Sequence, residues 1–415
     1  MWRSLKMKKI DTLINLAYNT VPAYNQLYND NNIFEEKDSI SFETDFFRLP
    51  IISKNTIKEF GIGNFINYKF FDELSNKIDL HRFTIEHTSG TTGMQMQIFW
   101  HNFEFFRSTY EHWILRKTFG NIYPASKCCT VLYDDIDDFF ITQGHKLLLN
   151  RRKTTYNSAV RFLKLCEKFD PEWIYMPGSV IAYLIFVAQR ENIAFGKNVR
   201  YIESATEPMI PIYRKIIEDY FNLKVHDMYG CQETNGIAFE CSHGHFHIMQ
   251  DNVYVEILDE NDAICKIGEW GNVCVTGLHN TLMPFIRYKL NDIARISDHQ
   301  CLCGNTNRII ELNGCRFPEI MLFNHHSVFS EGELFYPVRR FSFMNFEREV
   351  MFSLQLISPR KYKISFRNIK EEVFPIYTKL FLELMSAYGL QNLIFEFEIE
   401  KEMINTYRVG VIKKI

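Results

Sequence analysis

The chain of 415 residues has a formal net charge of -3 and a sequence pI of about 6.5. No basic field therefore predicts binding to nucleic acid or to an anionic membrane surface. The length allows a well-buried core and more than one domain. The longest apolar run, Val180 to Ala188, is half of what a membrane span needs, and the basic start Met1 to Ile10 lacks the order of a signal peptide. We therefore expect a cytoplasmic protein whose 10 cysteines are reduced thiols, buried or bound to metal.

Residues 11–24 show the first clear pattern, with apolar residues at helical spacing. Further on, residues 83–85 and 94–100 favour extended backbone and flank a run rich in Ser, Thr and Gly, which predicts a β-hairpin with that run at its tip. Glycines let backbone N–H groups approach an anion and hydroxyls add donors, so the tip is a candidate phosphate-binding loop. Its candidate residues are Ser89, Gly90, Thr91, Thr92 and Gly93. An ordinary solvated hairpin loop is the alternative, because these residue types are common in turns.

Between residues 110 and 200, amphipathic helical patterns alternate with short apolar strands such as residues 128–133 and 173–176. The segments VRYIESA, IPIYRKIIEDYFN and KVHDMYG then read as strand, helix and strand. This alternation predicts a layered α/β body. A βαβ unit would place the segments SATEP and MYGCQE side by side at the carboxyl ends of neighbouring strands, where open sheets bind ligands.

Two short segments carry residues suited to a nucleotide. After a strand, Tyr229 offers a flat face for a purine, Gly230 a tight turn and Glu233 a carboxylate for a phosphate-bound Mg²⁺. In FIRYKLNDIARI, Asp292 ends a β-like run and can accept hydrogen bonds from ribose hydroxyls. Simpler interpretations exist, because Tyr-Gly after a strand is commonly a packed aromatic and a turn, and Asn-Asp is commonly a hairpin turn.

The chain after residue 251 is β-rich, and its last part combines strand patterns with one helical pattern, EVFPIYTKLFLELMSAYG. We therefore expect an α/β protein. A large layered α/β N-terminal domain with a β-rich subdomain is predicted over residues 1–310, and a small mobile α+β C-terminal domain over residues 311–415.

The order of these segments resembles that of the adenylate-forming superfamily of acyl- and aryl-CoA ligases. HTSGTTG is similar to the family's phosphate motif, SATEP through MYGCQET to its adenine wall and YGxTE motif, and IRYKLND to its RYxxGD motif. Within that superfamily the chain looks most like the branch of phenylacetate-CoA ligases, coenzyme F390 synthetases and CapK-type proteins of capsular polysaccharide biosynthesis. The resemblance runs from about His81 to Arg316 and more loosely to the C-terminus.

The resemblance implies a role for each matching residue. It implies that the hairpin tip cradles the phosphates of ATP, with Thr91 and Thr92 as catalytic residues together with Glu233, which would also hold Mg²⁺. Asp292 would bind ribose. The other residues implied to contact ATP or AMP are Glu207, Asp227, Tyr229, Gly230 and Arg308. CoA is implied as one of the acyl acceptors.

A metal site is indicated independently by cysteine and histidine spacing. Cys241 and His247 lie close together in CSHGHFH, and Cys301 and Cys303 form a tight CLCG turn further along. Two thiolates at a glycine turn, with a Cys and a His from another hairpin, supply a tetrahedral set suited to structural Zn²⁺. Alternative ligands are His243 and His245. The other interpretation is a set of unpaired residues in a cysteine-rich chain.

Three features depart from the family pattern. Met94 stands where many members have a lysine, and the hinge Gly-Arg has an inserted residue at positions 314–316. The tail INTYRVGVIKKI has Asn, Thr and Tyr at 405–407, near the place of the family's C-terminal lysine. That cation neutralises charge in the transition state, so its loss slows adenylation or moves the task to Arg408 or Lys401.

Together these features predict an ATP-dependent enzyme that activates a carboxylate as an acyl-adenylate, releases pyrophosphate and passes the acyl group to a thiol or an amine. The aromatic content of 15% and the aromatic stretches at 103–113, expected to be a helix, and 123–133 predict an aromatic or hydrophobic acid. We expect a monomer or a homodimer. The alternative, which the altered tail favours, is a zinc- and nucleotide-binding protein without turnover.

Overall fold

The computed structural model describes residues 2–33, 39–70, 83–88, 96–132, 140–150, 156–207, 209, 211–316, 322–323, 328–329, 351–358, 361–367, 369–387, 393–399 and 411–413. The chain divides into two compact units. Unit 1 comprises Met1–Gly90, Met94–Leu115 and Met228–Leu312, and unit 2 comprises Thr91–Gly93, Arg116–Asp227 and Asn313–Ile415. The domain boundary expected near residue 310 stays a prediction.

Unit 1 combines short helices with a mainly antiparallel sheet. Its helices are Trp2–Thr20, Pro22–Asp30, Lys54–Phe60, Asn102–Ser108 and the start of Tyr110–Gly120, with 3₁₀ turns at Phe46–Arg48 and Ile62–Phe65. The strands, from neighbour to neighbour, are Val253–Leu258, Gly271–Gly277, Tyr288–Ser297, Ile309–Arg316, Phe246–Ile248, Asn235–Glu240 and Val225–Cys231. A separate hairpin pairs Phe83–His87 with Gln97–His101. The core residues include Ile14, Tyr24, Trp100, Val255 and Val275.

The N-terminal helical pattern forms two helices, whereas the sequence predicted one helix across residues 11–24. The first ends at Thr20, and the second begins at Pro22. Proline has no backbone N–H and is tolerated in the first turn of a helix, so Pro22 fits a new start better than the middle of a continuous helix. Val21 between them is extended, with φ of -120° and ψ of 110°.

Unit 2 contains a parallel sheet with helices between its strands. The order is Val225–Cys231, Tyr201–Ser204, Trp173–Tyr175, Cys128–Leu132, Lys146–Asn150 and Phe140–Gln143, and the last strand pairs antiparallel. The helices between them are Tyr156–Phe169, Gly178–Glu191 and Pro211–Phe221, preceded by the rest of Tyr110–Gly120. The strands Val225–Cys231 and Ile309–Arg316 are divided between the units: residues 225–227 belong to unit 2 and 228–231 to unit 1, and residues 309–312 belong to unit 1 and 313–316 to unit 2. The predicted α/β alternation is confirmed.

The core of unit 2 packs apolar residues of the strands against those of the helices. Ile174 and Ile202 on the sheet are fully buried with Phe162 and Leu184 of the helices. The parallel pairing of Ser204 with Asp227 confirms the βαβ unit predicted for this region. Parallel strands covered by helices on their faces lose contact with water, which explains their nearly continuous apolar residues.

A buried ion pair lies inside unit 2. The Arg116 guanidinium donates through Nε and Nη2 to Glu203, at 2.8 and 2.6 Å, and Glu203 is 0% exposed. The Tyr201 hydroxyl donates to the same carboxylate at 3.0 Å. The guanidinium lies 4.8 Å from the centroid of the Trp173 ring. Because both charges are withdrawn from water, each depends on the other for compensation.

The C-terminal residues form a small α+β arrangement, as predicted. Its four strands are ordered Ile394–Ile399, Lys361–Arg367, Met351–Ser358 and Val411–Lys413, and the helix is Phe374–Ala387, preceded by the 3₁₀ turn Glu371–Val373. Tyr377 and Phe381 of the helix and Phe366 of the sheet are 0% exposed, so the helix packs on the sheet. A short hairpin pairs Leu322–Phe323 with Val328–Phe329.

Within the described part of the chain, no helix combines the length and the apolar character that a bilayer crossing requires.

We expect the substitution Glu203→Leu to lower the free energy of unfolding by about 3–5 kcal/mol, because it leaves the buried charge of Arg116 without its carboxylate. Thermal and urea unfolding midpoints measure the change. The control is Asp219→Ala, which breaks the Lys215–Asp219 pair, whose side chains are 70% and 65% exposed. That exposed pair contributes about 1 kcal/mol at most. Equal midpoints for the two variants would contradict the prediction.

Candidate functional site

The hairpin predicted to carry the phosphate-binding loop is present. Its antiparallel ladder pairs Phe83 with His101 at one end and His87 with Gln97 at the other. The N–H of Thr88 donates to the carbonyl of Met96 at 2.9 Å, which extends the ladder toward the tip. The tip with Ser89, Gly90, Thr91, Thr92 and Gly93 lies outside the described residues, so its phosphate role stays a prediction.

A lysine not expected from the sequence lies at the base of this hairpin. The Nζ atom of Lys54 donates to Oγ1 of Thr88 at 3.4 Å. Lys54 begins the helix Lys54–Phe60, whose first turn is capped by Ser53. A positive charge is thus placed next to the last described residue before the loop.

The strand Val225–Cys231 requires glycine at position 230. The register with the next strand shifts there, with Tyr229 opposite Ala238 and Gly230 opposite Gly236. A Cβ atom on Gly230 would lie 2.4 Å from the carbonyl oxygen of Asn235. No side chain fits such a gap. Gly230 lies inside the strand, at an irregularity of its register, and not in the tight turn that was predicted for it, because the turn follows at residues 232–234.

Tyr229 and Asp292, which are far apart in the chain, are in direct contact. The hydroxyl of Tyr229 donates to Oδ2 of Asp292 at 2.9 Å, and both residues are half-buried. Both residues belong to unit 1. The structure therefore joins two of the segments that the sequence assigned to a nucleotide, with the phenol ring beside the carboxylate.

Asp292 lies inside a strand, at an irregularity, whereas a hairpin turn was the alternative interpretation. In the neighbouring strand, Asn272 pairs with Ile293 and Cys274 pairs with Lys289. Residues 290–292 therefore face Val273 alone, which makes a β-bulge. Bulges redirect side chains and occur near functional sites.

Glu233 is buried, with 6% of its surface exposed, and is held by Tyr288. The Tyr288 hydroxyl donates to Oε1 of Glu233 at 2.9 Å. Asn252 supports the same turn, because its Nδ2 donates to the carbonyls of Thr234 and Gly236 at 2.8 and 2.6 Å. A carboxylate out of water needs a hydrogen-bond donor. Here the Tyr288 hydroxyl supplies it and also fixes the position of the Glu233 side chain.

Glu233 and Asp292 both act electrostatically on the thiol of Cys231. Burial raises the pKa of Cys231 well above its usual value, and the negative charges of Glu233 and Asp292 add to the shift. Both carboxylates are thus within electrostatic range of one thiol. The roles predicted for Glu233, Asp292 and Tyr229 toward Mg²⁺, ribose and adenine stay predictions.

The other predicted nucleotide residues lie elsewhere in the two units. In unit 2, Asp227 is buried on its strand, and Glu207 accepts a hydrogen bond from the N–H of Ser179 at 2.7 Å, at the start of the helix Gly178–Glu191. In unit 1, Arg308 donates to the carbonyl of Val255 at 3.1 Å. The nucleotide roles of Glu207, Asp227 and Arg308 stay predictions.

The helix predicted across residues 103–113 is interrupted. One helix ends at Ser108 and the next begins at Tyr110. The hydroxyls of Ser108 and Thr109 donate to the carbonyls of Phe105 and Phe106 at 2.7 and 2.9 Å, and these side chains compete with the helical hydrogen bonds. The exposed apolar side chains on the two helices include Phe103, Phe106, Tyr110 and Ile114.

The four predicted metal ligands are brought together within unit 1. The ligand atoms of Cys241, His247, Cys301 and Cys303 all lie within 4.8 Å of one another. Cys241 Sγ is 3.6 Å from Cys301 Sγ, and Cys303 Sγ is 3.3 Å from His247 Nε2. Tetrahedral Zn–S bonds of about 2.3 Å separate two ligand sulfurs by roughly 3.8 Å, so the spacing fits such an ion.

The surroundings of this cluster orient its ligands. His247 Nδ1 donates to the carbonyl of Asn307 at 3.0 Å, which leaves Nε2 toward the sulfurs. Burial lowers the pKa of His247, which favours the neutral imidazole. Backbone N–H groups point at the thiols, from Cys303 to Cys301 Sγ at 3.5 Å and from His243 to Cys241 Sγ at 3.4 Å. Of the alternative ligands, His245 has its Nδ1 3.3 Å from Cys301 Sγ.

Two of the three features that depart from the family pattern lie outside the described residues. Met94 and residues 401–410 lie outside the described part of the chain. Residues 314–316 belong to the strand Ile309–Arg316. The contact of Tyr288 with Glu233 was not predicted, although Tyr288 lies within the quoted segment FIRYKLNDIARI.

Comparison with known proteins relates the chain to enzymes that bind AMP. The family model described as AMP-binding enzyme matches residues 75–283. The phenylacetate-coenzyme A ligase of Escherichia coli (strain K12) is 30% identical over 140 residues, 32% of this chain and 32% of that protein. The phenylacetate-coenzyme A ligase of Thermus thermophilus is 25% identical over 153 residues, 35% and 34% of the two chains. The matched stretch thus spans about a third of the length of these relatives.

Solved structures share the fold. A 2-hydroxyisobutyryl-CoA ligase in the postadenylation state, in complex with R3-HIB-AMP, matches with a TM-score of 0.70 over 99% of this chain and 89% of that chain, at 14% identity. An anthranilate CoA ligase in complex with anthranoyl-AMP matches with a TM-score of 0.53 over 78% and 65%, at 13% identity. At such identities the likeness concerns the fold alone, and it confirms the α/β class.

We expect Gly230→Ala to destabilise the protein by about 1–3 kcal/mol, because the new Cβ meets the Asn235 carbonyl and the strands must separate. The thermal unfolding midpoint measures the loss. Gly63→Ala is the matched control, since a Cβ there would have nothing within 4 Å. A Gly230→Ala protein as stable as the Gly63→Ala protein would show that this close approach of strands is not required.

Proposed function

We propose a function from one premise: the chain belongs to the family of AMP-binding enzymes. Its curated relatives are phenylacetate-CoA ligases, in agreement with the order of its motifs. We propose that the protein activates a carboxylic acid with ATP as an acyl-adenylate and transfers the acyl group to a thiol or an amine. The observation that carries this proposal is the 2.9 Å hydrogen bond between Tyr229 and Asp292, which joins two predicted nucleotide segments beside Glu233.

The chemistry has two steps. In the first, a carboxylate oxygen of the acid attacks the α-phosphorus of ATP, the bond to the β-phosphate breaks and pyrophosphate leaves. In the second, the thiol or amine attacks the acyl carbon, loses its proton and releases AMP. The chain contributes mainly by positioning its substrates, which lowers the entropic part of the barrier.

Three residues of unit 1 divide the work on the nucleotide. The ring of Tyr229 offers its face to adenine, and the Asp292 carboxylate accepts hydrogen bonds from ribose hydroxyls. When bound, Mg²⁺ neutralises charge on the triphosphate, and Glu233 is the carboxylate suited to hold it. The burial and hydrogen bond of Glu233 fit a single carboxylate ligand in a site whose other ligands are phosphates and water.

Further roles are proposed from the resemblance. The hairpin tip would hold the phosphates through Ser89, Gly90, Thr91, Thr92 and Gly93, and the remaining nucleotide contacts would come from Glu207, Asp227 and Arg308. Met94 carries no positive charge at the position where many family members have a lysine. The positive charge of Lys54 at the base of the hairpin therefore supports the binding of an anion there.

We propose an aromatic or hydrophobic acid as the substrate and CoA as the acceptor. The relatives are named for phenylacetate and coenzyme A. The large apolar side chains Phe103, Phe106 and Tyr110 are 70%, 51% and 58% exposed, which leaves aromatic surface available to such an acid. An amine acceptor remains the other outcome of the assay described below.

We also propose a structural Zn²⁺ held by Cys241, His247, Cys301 and Cys303. Four protein ligands complete a tetrahedral shell, which leaves no open position for substrate. The ion would tie the hairpin that follows the strand Asn235–Glu240 to the turn between Tyr288–Ser297 and Ile309–Arg316. Its task would be to stabilise these loops rather than to catalyse.

The proposed reaction predicts ATP–pyrophosphate exchange that depends on a carboxylic acid, tested with a panel of aromatic and fatty acids. In the same assay we expect Glu233→Gln to reduce exchange by about a hundredfold or more, because the neutral amide holds Mg²⁺ poorly. Glu311→Gln is the control for removing one acidic charge, since Glu311 pairs with Arg295 and takes no part in the proposed site.

ATP binding without exchange for any acid would favour the alternative of a binding protein without turnover. Full exchange by a folded Glu233→Gln protein would contradict the assignment of Glu233. CoA or an amine is then added to the acyl-adenylate, and mass spectrometry of the acylated product identifies the acceptor.

The zinc proposal predicts that the purified protein contains zinc and that Cys301→Ser reduces the metal content to background, with a lower unfolding temperature. Elemental analysis by mass spectrometry measures the content. Cys265→Ser is the matched control, because Cys265 is a half-buried free thiol outside the cluster. The proposal is wrong if Cys301→Ser and the parent protein hold the same amount of metal.

A further inference from the structure

We infer that Tyr288 is a positioning residue that holds the Glu233 carboxylate for Mg²⁺, as Tyr229 holds Asp292 for ribose. The inference rests on the proposed function and deepens it. Tyr288 is 3% exposed, so its ring is packed inside unit 1 and is not placed to contact substrate. Its hydroxyl engages Oε1 of Glu233 at 2.9 Å and leaves Oε2 as the candidate ligand atom.

The two tyrosine hydrogen bonds are reciprocal. Tyr229 lies in the same segment as Glu233 but donates to Asp292, at 2.9 Å. Tyr288 lies in the same segment as Asp292 but donates to Glu233, also at 2.9 Å. Each segment therefore fixes the acid of the other. Neither carboxylate is held by its own segment alone, so the distance between the ribose and metal positions is set by the pairing.

Arg287, the residue before Tyr288, anchors this arrangement. Its Nε and Nη2 donate to Glu256 at 3.2 and 2.9 Å, and its Nη1 donates to the carbonyls of Phe47 and Leu49 at 3.0 and 2.6 Å. The side chains of Arg287 and Glu256 are 5% and 2% exposed. A buried guanidinium with this many partners has essentially one position available to it.

The backbone around Tyr288 is fixed as well. Arg287 has a φ of 49°, in the left-handed region that non-glycine residues rarely adopt. Its N–H donates to Oγ1 of Thr276 at 2.9 Å, and its carbonyl accepts from the N–H of Ile52 at 3.0 Å. On the other side of Tyr288, the N–H of Lys289 donates to the carbonyl of Ile52 at 2.9 Å. An uncommon backbone conformation held by such contacts is typical of functional positions.

Because Tyr288 is held on both sides, its hydroxyl has little freedom. A preorganised donor orients a metal-ligating carboxylate before the metal arrives, and loss of such supporting partners commonly weakens metal binding by about 10- to 100-fold. The phenol is neutral, so it orients the carboxylate without cancelling the charge that attracts the cation.

The test compares Tyr288→Phe with Tyr229→Phe. Each substitution removes one hydroxyl that donates at 2.9 Å to a carboxylate, and each keeps the ring. Calorimetry measures ATP binding across a series of MgCl₂ concentrations, and AMP binding in EDTA. For Tyr288→Phe we expect the Mg²⁺ concentration for half-maximal enhancement of ATP binding to rise by about tenfold or more, with AMP binding in EDTA unchanged.

For Tyr229→Phe we expect the opposite division. AMP binding in EDTA should weaken by about tenfold, and the Mg²⁺ midpoint should stay within about twofold of the parent value. The substitution should also reduce the preference for AMP over 2′,3′-dideoxyAMP, because Asp292 is then less well oriented toward the hydroxyls. A third variant, Glu256→Gln, retains Tyr288 but weakens its anchor and should raise the Mg²⁺ midpoint by a smaller factor than Tyr288→Phe.

The inference requires that Tyr288→Phe changes mainly the Mg²⁺ midpoint and that Tyr229→Phe changes mainly AMP binding. An unchanged Mg²⁺ midpoint in Tyr288→Phe, or equal changes of both quantities in both variants, would overturn it. Unchanged AMP binding in Tyr288→Phe also shows that the variant is folded, and if it is not, Glu256→Gln provides the same measurement. These binding experiments need no carboxylic acid, so absence of exchange with every acid would defeat the proposed reaction and leave this test intact.

Discussion

A carboxylate withdrawn from water needs a hydrogen-bond donor, and in unit 1 this requirement is met by residues distant in the chain. Glu233 and Asp292 each receive the hydroxyl of a tyrosine from the other's segment. The same tyrosine hydroxyls that compensate the charges of the two carboxylates also determine where these carboxylates point. The close approach of strands at Gly230 lies next to Tyr229, and the β-bulge before residue 293 contains Asp292, so both irregularities fall at this pair.

The candidate metal cluster of Cys241, His247, Cys301 and Cys303 is assembled by strand pairing. Its ligands come from two places in unit 1, and the sulfurs and the imidazole nitrogen approach one another because Phe246–Ile248 pairs with both Asn235–Glu240 and Ile309–Arg316. Backbone N–H groups directed at the thiols stabilise negative charge on them. Where the predicted nucleotide segments keep an acid available to a ligand, this cluster offers four ligand atoms, enough to complete a tetrahedral shell around the proposed ion.

Sequence patterns predicted many of the regular elements and grouped the candidate site residues into a few short segments. The apolar strand patterns at 128–132 and 201–204 and the helix at 211–221 depend on local composition, and Tyr229, Glu233, Asp292 and the four metal ligands stand in short segments of recognisable spacing. The partner of Tyr288 could not be predicted, since it depends on the left-handed backbone of Arg287, which Glu256 and two carbonyls hold from other parts of the chain. The break at Thr109 was missed for a smaller reason, because side-chain hydroxyls can either support or interrupt a helix.

The segment from Gly230 to Asn235, a turn with the strand ends on either side, also determines where this protein can change. Gly230 has no room for a side chain, the acid at 233 is bonded, and the carbonyl of Thr234 is occupied by Asn252. Gln232, by contrast, is exposed. Natural variation or laboratory evolution acting on this turn is thus directed to a solvent-facing side chain adjacent to the proposed metal ligand. There the local charge can be tuned while the main chain stays where it is.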